Sequence, residues 1–140
     1  MENGNKADLD WVRARVACSL HTVFARLIAG VKSDLAARQE VSRDLDQGIH
    51  FAISTEDDRN LVVSRNLRGT VSTVEFSLGP TEIVIGEDGI PIFTATVALN
   101  EAGDCTLVID GNEMEMWQVR RMALEGLFFR LPPPVTRRSR

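Results

Sequence analysis

The sequence predicts a single α+β domain: a long N-terminal helix, an antiparallel meander of five or six strands, and a C-terminal helix packed on the sheet. Three observations predict it. Apolar residues first recur in steps of three and four, the period of one helix face. From Ile49 they alternate, the period of a half-buried strand. No connection between Ile49 and Asp110 is long enough for a crossover helix, so neighbouring strands run antiparallel.

The length of 140 residues, with 44% hydrophobic and 26% charged side chains, suits one globular domain over residues 1–131. Pro132, Pro133 and Pro134 end the last helix and open a Pro/Arg-rich tail, 132–140, expected to be mobile. No apolar run is long enough for a membrane span, and no signal peptide is visible at the N-terminus. A cytoplasmic location is the expectation. The two cysteines, Cys18 and Cys105, fall in different predicted elements and are expected as reduced thiols.

In order along the chain, the first helix is expected from Lys6, with Asn5 as N-cap and Asp8 completing a capping-box-like pair. Its core stripe reads Leu9, Val12, Val16, Leu20, Val23, Leu27 and Val31, continuing to Val41 and Leu45 if the helix reaches Asp46. Such a helix would outreach the domain, and Gly30, followed by Ser33 as a second cap, is the candidate kink. A second stripe of small residues, Trp11, Ala14, Cys18, Thr22, Ala25 and Ala29, runs along the opposite side. It is either a contact face for a second helix, the C-terminal one or its own copy in a homodimer, or a solvated face of good helix formers.

The strands follow. Ile49, Phe51 and Ile53 share one face; Leu61 to Ser64 form a short strand; Val74, Phe76 and Leu78 face inward before Gly79-Pro80; Ile83 and Ile85 come next. Gly86 to Gly89 supply a hairpin turn, after which Phe93, Ala95, Val97 and Leu99 point inward, as do Cys105, Leu107 and Ile109. Asn112 and Glu115 read as cap and third position of the final helix. Its Met114, Met116, Trp117, Val119, Met122, Leu124, Leu127 and Phe128 are expected to be mostly buried.

Chemistry is sparse. Phosphate loops, dinucleotide-binding glycines, zinc-protease histidines, paired CxxC knuckles and a nucleophile elbow are all missing from the sequence. Cys18, His21, His50 and Cys105 would make a tetrahedral zinc set. Against it, Cys105 alternates with Leu107 and Ile109 as a buried hydrophobe and His50 falls on the outer strand face, so no metal or other cofactor is expected. Glu75, Glu82, Asp57, Asp58, Glu87 and Asp88 fall where water screens them, and catalysis needs a carboxyl whose surroundings perturb it.

The net charge of −4 divides unevenly: residues 48–111 hold three basic and ten acidic side chains, while residues 112–140 hold six and three. The acidic middle repels nucleic acid, and Arg137, Arg138 and Arg140 offer it only a weak electrostatic contact. In bulk features the chain resembles small acidic secretion chaperones and cystatin-like folds, with no motif shared. The expectation is therefore a non-catalytic interaction or assembly module, homodimeric through the small-residue stripe or a sheet edge. The rival is a small-ligand binder or enzyme with a pocket lined by Phe76, Phe93, Trp117 and Met122.

Overall fold

A computed structural model of the chain describes residues 8–45 and 48–130, with side chains of 42–45 left aside. Helix α1 spans Trp11–Ala17 and helix α2 Leu20–Leu45. Seven strands follow: β1 (Ile49–Asp57), β2 (Asn60–Leu67), β3 (Thr70–Leu78), β4 (Ile83–Glu87), β5 (Ile90–Leu99), β6 (Cys105–Ile109) and β7 (Asn112–Met114). Helix α3, Met116–Phe129, closes the fold. The strands pair in sequence order, every pair antiparallel, so the α+β meander predicted from the sequence is the observed architecture, with one strand more.

Turn chemistry sets this register. Arg68-Gly69, Asp88-Gly89 and Asp110-Gly111 each place two successive residues at positive φ, between 51° and 94°. That is the two-residue hairpin whose twist matches the strands it joins. The third of these turns corrects the sequence reading. Asp110-Gly111 does not lead into the helix but folds Asn112–Met114 back onto β6, where Ile109 pairs with Asn112 and Leu107 with Met114. Helix α3 accordingly starts three residues later than expected. Its N-cap is Glu115, whose backbone N–H is bonded by the Gln118 side chain at 2.8 Å.

Both long helices lie on one face of the sheet, α2 against β1, β3 and β5, and α3 against β2, β3 and β6. Between the layers Phe76, Leu61, Ile83, Ile85, Val63 and Ala95 of the strands meet Leu27, Val31 and Val119 of the helices, all fully buried. The inward and outward alternation read from the sequence is the observed one except at the start of β6, where Cys105, expected as a buried hydrophobe, is exposed and turned to its disulfide while Leu107 and Ile109 are buried. It extends to Arg65, which shares the buried face of β2 with Leu61 and Val63.

The N-terminal helix departs from expectation in two ways. It does not kink at Gly30: α2 runs unbroken through that residue for 26 residues, about 39 Å at the usual rise. The break comes at Cys18-Ser19, where α1 and α2 bend by 53°. Ser19 starts the new helix: its Oγ accepts the Thr22 N–H at 3.3 Å and donates to Thr22 Oγ1 at 2.8 Å, while its carbonyl accepts from Val23 N. The expected start at Asn5 and Lys6 lies outside the described residues; the first described cap is Asp10, which accepts from Arg13 N. The predicted core stripe consequently divides. Val23, Leu27 and Val31 are buried and continue through Leu35, whereas Leu9, Val12 and Val16 are exposed, as is Val41.

The cysteines correct a further expectation. Cys18 and Cys105 are joined in a disulfide that ties the α1–α2 junction to the start of β6, closing a loop 87 residues apart in sequence. The sequence separation concealed this pairing, which depends on how the sheet returns to the helix.

Candidate functional site: a groove between the helices

Helix α3 is fixed to α2 by a glycine and an arginine. The Arg120 side chain crosses α2 at Gly30, where an added Cβ would lie 2.6 Å from its Nη1, and its Nε–H then reaches Asp34 Oδ2 at 2.7 Å. Gly30 is thus a point of close approach between helices. That explains a glycine inside a helix that it does not break.

Two buried arginines hold the other end of α3. Arg38 of α2, 4% exposed, donates its Nε–H to the Phe128 carbonyl at 2.9 Å and lies between the rings of Phe51 and Phe129, 5.1 and 5.2 Å from their centroids. Arg65 of β2 donates Nη1–H to the Leu127 carbonyl at 3.0 Å and Nη2–H to Ser72 Oγ at 3.3 Å. The last carbonyls of a helix lack intrahelical partners and carry its negative pole, so two guanidinium groups there satisfy and neutralise the terminus. Among the described residues the Arg65 Nε–H finds no acceptor, so the arrangement keeps one desolvated donor unmet.

With both ends fixed, the outer surfaces of α2 and α3 leave an open groove of about 400 Å³. Ala37 and Val41 form one wall, Trp117 and Phe129 the other, and Leu124 and Phe128 the floor. Trp117 is 50% and Phe129 64% exposed. The rim carries two ion pairs, Arg120 with Asp34 and Arg121 Nε with Glu125 Oε1 at 3.1 Å, whose charges cancel, while the third arginine of the lining, Arg38, is buried and directed to the Phe128 carbonyl. An apolar floor under a neutral rim suits an apolar side-chain row better than an anion or a nucleic acid.

The residues singled out from the sequence come together only in part. Of the pocket set, Trp117 lines the groove; Phe76 is fully buried beneath the helices, Phe93 is half-buried on the sheet, and Met122 is exposed on α3. Phe76, Phe93 and Met122 do not line that groove. Of the small-residue stripe, Cys18 is buried in its disulfide and Trp11 and Ala14 lie beyond the bend. Thr22, Ala25 and Ala29 stay on α2, where both alanines are exposed. The expectation that Trp117 and Met122 are buried is corrected likewise: α3 covers only the face of Val119, Ala123, Leu124, Leu127 and Phe128.

The zinc set is dismantled by the same disulfide, which consumes Cys18 and Cys105, while His50 lies on the outer face of edge strand β1. Among the described residues no three His, Cys, Asp or Glu side chains are grouped to hold a metal ion. Several of the carboxylates serve the turns: Asp57 accepts from Arg59 N, Asp88 from Thr73 N, and Glu75 from the Asn60 amide across the strands. Arg137, Arg138 and Arg140 lie outside the described residues.

Arg38 and Arg65 were missed, although the signal was present. Arg38 follows Val31 and Leu35 on the same helix face, and Arg65 falls in the inward alternation of β2. A charged residue in an apolar register marks a buried hydrogen-bonding role. Comparison with protein-family models, with curated proteins and with solved structures finds no match for this chain.

Proposed function

We propose that the chain is a non-catalytic assembly module that forms a homodimer, each copy placing its α1 in the α2–α3 groove of the other. One observation carries the reading: two apolar surfaces lie uncovered at opposite ends of α2. At one end α1 buries no residue and exposes Trp11, Val12 and Val16 by 65, 52 and 68%. At the other lies the groove beside Val41. The two are roughly 30 Å apart along α2 at 1.5 Å per residue.

A twofold axis that sets two α2 helices antiparallel brings the α1 of each copy over the groove of its partner. The contact is then reciprocal and closed, satisfying both surfaces at once. Apolar patches of this kind on a small chain mark contact sites. The cytoplasmic placement suggested by the sequence is compatible with this module only if its disulfide is made and broken in use, since stable disulfides belong to oxidising compartments. No single helix among the described residues is long and apolar enough to cross a membrane.

Light scattering tests the assembly. The wild type is expected at twice the chain mass, and Val12→Glu and Trp117→Glu each at the chain mass, while Ala25→Glu stays dimeric. A monomeric wild type overturns the proposal. A dimer broken only by Ala25→Glu moves the contact to the small-residue stripe.

A further inference from the structure

We propose that the Cys18–Cys105 disulfide is a redox latch: it holds α1 on the end of the β5–β6 hairpin, and its reduction releases residues 8–18 while the sheet and the two long helices stay folded. The hold on α1 is slight elsewhere. None of its seven residues is buried, and its N-cap and ion pair, Asp10 with Arg13, are internal to the segment. Leu9 also packs on Gly103 of the hairpin turn, where an added side chain would collide with it. Every residue of the hydrophobic core, by contrast, lies at Val23 or beyond. The bend at Cys18-Ser19 separates the two regions, and the Ser19 cap lets α2 begin without α1.

The two cysteines are unequally exposed. Cys105 is exposed, whereas Cys18 is 0% exposed. A dithiol reductant therefore meets Cys105 first. Its thiolate forms a mixed disulfide with Cys105, the bond between the two cysteines breaks, and Cys18 leaves as a thiolate that takes up a proton. The second thiol of the reductant then displaces Cys105, which is protonated in turn, and the reductant ends as its own disulfide. Two electrons and two protons pass to the protein. The reduced state has a place for its buried thiol, because Cys18 Sγ lies 3.5 Å from the Ala98 carbonyl oxygen and can donate to it.

Hydrogen exchange with and without dithiothreitol tests the latch, after intact-mass analysis has shown the oxidised protein two hydrogens lighter than the reduced one. On reduction, amides of residues 11–18 are expected to lose protection by about tenfold or more, while those of β2 to β5 and of Val119 to Phe128 keep theirs. Cys105→Ser is expected to show the released pattern already, with no response to the reductant. Loss of protection throughout the chain would make the bond a clamp on the whole fold, and unchanged exchange in residues 11–18 would show α1 held by other means. Either result overturns the proposal, as does finding both thiols free in protein purified without reductant. Repeating the exchange on the monomeric Trp117→Glu variant removes any protection of α1 by a partner's groove, so the latch is tested separately from the dimer.

Discussion

Helices α1 and α2 carry the same apolar step pattern, yet α2 belongs to the helical layer that covers the sheet and α1 buries no residue. Val16 and Leu27 occupy equivalent places on the sequence stripe, and the first is 68% exposed while the second is fully buried. The difference lies in two residues between them. Cys18 is tied to β6 and Ser19 caps a fresh helix, so the chain bends by 53° and α1 leaves the sheet that α2 covers. Periodicity states which side chains share a face; it does not state what lies opposite that face.

The comparison breaks most sharply under truncation. Leu27→Ala should cost about 2–5 kcal/mol, read from denaturant unfolding with an unchanged slope, because it leaves a cavity between α2 and the sheet. Removing the disulfide as Cys18→Ala/Cys105→Ala should cost about 2–4 kcal/mol under oxidising conditions, since the bond restrains a long loop in the unfolded chain. That loss should vanish when the wild type is measured with reductant, which separates the covalent term from packing.

Ser19→Ala should remove about 1 kcal/mol by unmaking the cap that begins α2. Gly30→Ala sharpens the reading of the helix contact. Alone it should be near neutral, the gain in helix propensity offsetting the displaced Arg120; in an Arg120→Ala background it should stabilise by about 1 kcal/mol. Equal effects in the two backgrounds would show that Gly30 and Arg120 are uncoupled. Smallest of all, Val16→Ala should move stability by less than about 0.5 kcal/mol in the monomer, as an exposed position does.

Much of the fold was legible. Strand alternation and hairpin glycines identified most of the inner face of the meander, Phe76 and Ile85 included and Cys105 excepted, because a pleated strand admits two faces and hydrophobicity chooses between them. The missed strand β7 was legible too: Asp110-Gly111 has the same chemistry as Asp88-Gly89, and only the neighbouring helix signal at Glu115 obscured it. The groove was half legible. Trp117 was picked out as a pocket residue, but its expected companions Phe76 and Phe93 belong to the interior, since the sequence does not say which side of α3 turns to the sheet.

By itself the sequence determined the element types, their order, the antiparallel pairing and the buried face of each strand, all of which rest on local periodicity and turn geometry. Tertiary structure decided the Cys18–Cys105 bond, the passage of Arg120 over Gly30, the arginines at the end of α3 and the exposure of α1. Each of these depends on residues far apart in the chain meeting at one place, and no local pattern encodes that distance.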